Sequence, residues 1–117
     1  MADLQKYTVQ EANNLQVYTG YSSQTITVDD DDADNAGTNW LTSGDGPAKE
    51  VTFVPFSGDA TAVIKIWLKI NGGYGDPITV KFDDFPITFN NLLIDQVKLQ
   101  SDSGDSTAEV FEVISFH

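Results

Sequence analysis

The strongest constraint on the fold is an alternation of period two. From Thr61 to Ile70, Ile64, Ile66, Leu68 and Ile70 fall on one side of the chain and Val63, Lys65, Trp67 and Lys69 on the other. That spacing suits a half-buried β-strand and not a helix, and the isoleucine face is expected to be core. Asn71-Gly72-Gly73-Tyr74-Gly75-Asp76-Pro77 then supplies left-handed positions and a proline stop, so the chain turns before a second strand through Ile78, Val80 and Phe82. Phe85-Pro86-Ile87-Thr88-Phe89 alternates again, with Pro86 marking an edge or a strand start. Asn90-Asn91 reads as a turn, Leu92 to Leu99 as a further strand, Ser101 to Ser106 as a polar loop and Ala108 to Phe116 as the closing strand. Upstream, Leu15–Tyr18, Gln24–Val28 and Lys49–Phe56 read as three more. About eight short strands with no amphipathic helix between them predict an all-β protein, an antiparallel two-sheet β-sandwich of jelly-roll or immunoglobulin-like type.

At 117 residues the chain has room for one domain. A chain of this size buries roughly two-thirds of its unfolded surface and needs neither metal nor disulfide to fold. Residues 1–14 are expected to form an extended N-terminal arm carrying Leu4, Tyr7 and Val9, and residues 15–117 the sandwich. Within it, residues 29–48 form a long acidic loop around Trp40 and Leu41; loops of that length are usually functional or disordered.

Charge removes several functions. Eighteen acidic residues face six basic ones, all lysine, for a net charge of −12, and there is no arginine to fork a phosphate or carboxylate. Neither nucleic acid nor an anionic membrane is an expected partner. There is no cysteine, so thiol chemistry and disulfides are absent. The single histidine, His117, is the last residue of the sequence and is expected to sit at a frayed end, a poor place for a catalytic triad. No Gly-x-Ser-x-Gly elbow occurs, and Gly72-Gly73-Tyr74-Gly75 lacks the Lys-Ser/Thr of a phosphate loop. Asp83-Asp84, between Phe82 and Phe85, would point to opposite faces of a strand and is explained by a turn. These absences predict a protein that is not an enzyme. No secretory leader and no run of about 20 apolar residues is visible, so synthesis in the cytoplasm is expected.

Two features are candidates for binding. Asp30, Asp32 and Asp34, within Asp29-Asp30-Asp31-Asp32-Ala33-Asp34, have the alternate spacing by which a calcium loop presents oxygens, although Asn35 and Leu41 stand where a calcium hand would have glycine and glutamate. The same run also reads as a solvated, self-repelling turn. Trp67 shares its strand face with Lys65 and Lys69; it either packs beneath residues 29–48 or presents a surface that stacks on a sugar or anchors a protein. Tyr18, Tyr21, Trp40 and Tyr74 lie in or near predicted loops and could line a carbohydrate groove.

Taken with the polar arm up to Asn14, the pattern Phe85-Pro86-Ile87-Thr88-Phe89, Leu92-Leu93-Ile94-Asp95-Gln96-Val97-Lys98-Leu99 and Ala108-Glu109-Val110-Phe111-Glu112-Val113-Ile114-Ser115-Phe116 resembles the small acidic all-β virion proteins of tailed bacteriophages, the capsid decoration (cement) and head-fibre class. The resemblance implies a structural role on the outer capsid surface of the virion. It implies the major capsid protein as partner and a homo-oligomer, often a trimer, bridging capsid subunits. Leu4, Tyr7 and Val9 would then join a neighbour's sheet edge and Trp67 would face a partner. The Asp29–Asp34 run is no part of that pattern. The alternative is a carbohydrate-binding module with a calcium-supported acidic loop.

Overall fold

The computed structural model describes residues 18, 20–30, 33–41, 44–102 and 108–117. The arm with Leu4, Tyr7 and Val9, the predicted strand residues 15–17, and Asp32 lie outside them. Nine strands form, β1 Tyr21–Val28, β2 Asp34–Ala36, β3 Ala48–Ser57, β4 Val63–Ile70, β5 Gly73–Tyr74, β6 Ile78–Lys81, β7 Ile87–Ile94, β8 Gln96–Ser101 and β9 Glu109–Phe116. They make two antiparallel sheets, β1-β9-β3-β7 and β2-β8-β4-β5, with β6 also on β4. The expected two-sheet β-sandwich is therefore present.

Strand order separates the two sandwich types left open by the sequence. β1 pairs with β9, β2 with β8, β3 with β7, and β4 with β5 and β6. First pairs with last and second with second-last, as in a long hairpin wrapped into two sheets, which is the winding of a jelly roll and not the division of an immunoglobulin domain.

Ile26, Val28, Val51, Phe53, Phe111 and Val113 from one sheet meet Ile64, Ile66, Val97 and Leu99 from the other, all buried. The alternation in β4 buries Ile64 and Ile66 as expected, but burial fades along the strand: Leu68 is only partly covered and Ile70 is 38% exposed. Phe82, Phe85 and Phe111 close the interior as an aromatic cluster with centroids 4.8–6.4 Å apart. Asp83 and Asp84 lie in the 3-10 turn Phe82–Asp84 before the cis Phe85-Pro86 bond, in keeping with a turn.

Four sequence expectations change. Asn90-Asn91 is not a turn between strands: both lie within β7, where Asn91 is left-handed (φ 58°) and Lys49 of β3 faces the three residues Asn91, Leu92 and Leu93. Asparagine favours left-handed backbone in bulges as it does in turns, so the same signal served a different geometry. The strand expected over Leu92–Leu99 is divided at Asp95, with Ile94 ending β7 in one sheet and Gln96 opening β8 in the other. The 29–48 segment is not all loop: Asp34–Ala36 form β2 along β8, and Trp40 is buried. Tyr18 lies outside any strand.

Candidate functional site

Two places bring chemistry-bearing side chains together, one sealed and one open. The sealed one surrounds His117. Its backbone N–H donates to Gly20 O at 2.9 Å, extending the β1–β9 ladder, and its ring lies between Ser115 Oγ (2.9 Å from Nε2) and Gly46 O (2.8 Å from Nδ1). A carbonyl only accepts, so Nδ1 carries a proton. Ser115 Oγ is in turn 2.7 Å from Ser22 Oγ, and Trp40 packs edge-on against the imidazole with centroids 5.3 Å apart. The expectation of a frayed end is thus corrected: His117 is 3% exposed, Ser115 0% and Trp40 4%. Trp40 is held there by a bend in which its N–H reaches Gly37 O and its carbonyl takes the Gly46 N–H. Gly37 is obligatory at that bend, since its φ is +77° and a Cβ would stand 2.4 Å from the indole. The serine–histidine pair resembles a nucleophile and base in distance alone; a substrate has no route to it through side chains this buried. Its chemistry is that of a polar staple between β1, β9 and the Gly46 carbonyl.

The open place is the outer face of the β2-β8-β4-β5 sheet. Alternation sends Lys65, Trp67 and Lys69 of β4 outward, and the register decides what joins them. Trp67 lies opposite Lys98 of β8, Lys69 opposite Tyr74 of β5, and Val63 opposite Lys81 of β6. The Lys98 ammonium stands 5.0 Å from the Trp67 ring centroid and 4.4 Å from that of Tyr74, while Lys69 is 5.7 Å from Tyr74. Ammonium groups over aromatic faces gain about 0.5–1 kcal/mol each when exposed. Tyr74 Oη reaches Asn35 Oδ1 of β2 at 3.5 Å, and partial burial raises its phenol above the ordinary value despite the nearby lysines.

Four of the six lysines thus share one face, with Trp67 half-buried among them. Among the described residues none of the four is ion-paired. The nearby carboxylates are turned to backbone instead: Asp95 Oδ2 accepts the Gly72 N–H at 2.9 Å and Asp102 Oδ1 the Val63 N–H at 2.8 Å. Trp67 is half-buried and lies outside the core, with the Lys98 ammonium over its ring. Sequence reasoning found Lys65, Trp67 and Lys69, but Lys98 and Lys81 enter only through strand pairing, which no local pattern encodes.

The remaining candidates do not converge. Tyr18 and Tyr21 lie beside Phe116 on the other sheet, at 5.2 and 6.2 Å, Trp40 is interior and Tyr74 is on the lysine face, so the four rings form no common groove. Asp34, opposite Leu99, belongs to the inward register of β2, and the carbonyl of Asp30 accepts from Gln100 Nε2 at 3.2 Å. With Asp32 outside the described residues, the proposed calcium triad is not assembled by them, and among them no group of three acidic or histidine side chains is placed to hold a metal. No helix among the described residues is long and apolar enough to cross a membrane. No family model, no curated protein and no solved structure matches the chain.

Proposed function

We propose that this chain is a non-catalytic docking module of jelly-roll type, and that its role is that of a capsid decoration protein, binding the outer surface of a phage head and bridging capsid subunits. The observation that carries a docking role is the gathering of four lysines, none ion-paired among the described residues, around two aromatic rings on one open sheet face, in a chain otherwise dominated by carboxylates. A flat, charged, aromatic-centred face suits contact with another macromolecule better than enclosure of a small substrate. The sealing of Ser115 and His117 supports the same reading, because it assigns the one serine–histidine pair described above to stability. The virion setting rests on the sequence resemblance. A jelly roll is compatible with it but hosts many functions. Under this reading Leu4, Tyr7 and Val9 supply the arm contacts to a neighbour and the protein acts as a homo-oligomer.

Sugar binding is the weaker reading, since Lys98 stands over the Trp67 ring on which a sugar would stack. Cosedimentation of the purified chain with expanded and unexpanded capsids tests the decoration role. Retention by expanded capsids is expected; a chain that stays monomeric and in the supernatant ends it. Calorimetry against a glycan panel, with Trp67→Ala as control, tests the sugar reading.

A further inference from the structure

The lysine face has a definite length, and its ends are acidic. β4 spans eight residues, about 26 Å at the rise of a strand. Asp30 and Asp102 flank it where β4 begins and β8 ends, and Asp76 and Asp95 where β4 ends. Subtracting the four lysines of the face from the net charge leaves −12 − 4 = −16 on the rest of the chain. An extended polyanion such as a nucleic acid or a sulfated polysaccharide would overrun the face and meet carboxylates at both ends. A short anionic segment would not, because repulsion from the rest of the surface falls off over a Debye length of about 8 Å.

Head-group chemistry narrows the occupant further. A phosphate or sulfate polymer is favoured by arginine forks, and the chain has none. Lysine ammoniums are point charges that pair readily with single carboxylates. Lys98 is held between Trp67 and Tyr74, so its ammonium is positioned before anything binds. The two rings beneath it offer apolar flanks to the methylenes of glutamate or to the backbone of a peptide.

We infer that the outer face of the β2-β8-β4-β5 sheet, centred on Lys98 between Trp67 and Tyr74 and bordered by Lys65, Lys69 and Lys81, binds a short carboxylate-rich segment of a partner protein. This deepens the docking role proposed above by naming the face and the chemistry of its partner; it does not require that the partner be a capsid.

The test uses the full chain and a synthetic octapeptide alternating glutamate with alanine. Binding is followed by calorimetry and by the Trp67 indole N–H resonance. The expected result is saturable binding that moves that resonance and weakens severalfold between 50 and 200 mM salt, by screening on the scale of about one Debye length. The double variant Lys65→Gln/Lys98→Gln should lose about tenfold or more in affinity, the scale of two charge-assisted contacts. Lys49→Gln, on the other sheet, should change it less than twofold, about the effect of a charge remote from the face. Unchanged unfolding midpoints for the variants would exclude misfolding as the cause. Absence of peptide binding overturns the inference, as does tighter binding of a sulfated oligosaccharide or an oligonucleotide at the same resonance. Self-association abolished by the double variant, without peptide binding, also overturns it, in favour of a second copy. Peptide binding together with failure to retain the chain on capsids leaves this inference standing and removes the virion role.

Discussion

Ser115 Oγ and His117 Nε2 lie 2.9 Å apart with almost no solvent access, joining β9 to the Gly46 carbonyl and, through Ser22, to β1. Replacing His117 with alanine removes two hydrogen bonds and the ring against which Trp40 packs. Destabilisation of about 2–4 kcal/mol is expected from the lost bonds and the cavity, read from urea unfolding. A fluorophosphonate that labels activated serines should leave Ser115 unmodified in the folded chain; labelling there would assign the pair to catalysis.

The two tryptophans should respond differently to truncation. Trp40 is buried between Gly37 and the His117 imidazole, so Trp40→Ala should cost about 3–5 kcal/mol. Trp67 is half-buried on an open face, and its removal should cost about 1–2 kcal/mol, from partial area and the ammonium contact. Chemical denaturation of both variants checks the ranking, and equal losses would contradict the placement of Trp67.

Gly37→Ala combines a positive φ with a Cβ inside the Trp40 ring. Backbone strain and overpacking together should cost about 2–4 kcal/mol. Gly72, also at positive φ but in open space, should tolerate alanine at about 1 kcal/mol, the conformational part alone. Thermal unfolding of the pair separates the two contributions.

Glu109 is fully buried at the start of β9, bonded to Ser101 Oγ and 3.3 Å from the Asp59 N–H. It ties the β3–β4 connection to β8 across the sandwich. Glu109→Leu removes the carboxylate that the buried Ser101 hydroxyl and the half-buried Asp59 N–H share and should cost about 2–3 kcal/mol, whereas Glu109→Gln, which keeps an acceptor oxygen, should cost less. Denaturation midpoints decide between them.

Two titrations follow from local hydrogen bonds. The Thr61 hydroxyl and N–H, at 2.7 and 2.8 Å, hold the Asp59 carboxyl below its ordinary value. A lowered folded value means that this turn contributes fully above the ordinary aspartate range near pH 3.9 and that the contribution is lost as pH falls through the lower folded value. The Thr61 amide resonance, followed by NMR, should shift only at that lower pH, and Asp59→Asn should abolish the step. The Tyr18 phenol is raised by desolvation first and by the Glu50 carboxylate second, which accepts its hydroxyl at 3.0 Å. Ultraviolet titration should therefore show Tyr18 ionising later than a free tyrosine, and earlier once Glu50 is changed to glutamine.

Local pattern made β4 legible from its isoleucines, and Pro86 correctly announced the start of β7. β2 was hidden because Asp34–Ala36 is three residues long and two of its side chains are polar, so neither length nor alternation could register. The candidate face was half visible. Lys65, Trp67 and Lys69 follow from one strand, but the pairing of Trp67 with Lys98 depends on which strand lies beside β4, 31 positions later in the chain (98 − 67 = 31). His117 was misjudged because burial at a chain end depends on what packs over it, here Trp40 from the segment expected to be loop.

The lengths of the strands at the sheet borders also determine how copies of this molecule can stick together wrongly. β2, β5 and β6 have three, two and four residues, and β7 is interrupted by the Asn91–Leu93 bulge. Among the described strands that leaves β1, Tyr-Ser-Ser-Gln-Thr-Ile-Thr-Val, as the long uninterrupted border, free of charge and proline. Such a strand is a template for intermolecular cross-β growth. The charge of −12 is then also a solubilising device, keeping copies apart at low ionic strength, and concentrated salt that screens it exposes β1 as the place where fibrils of this chain would nucleate.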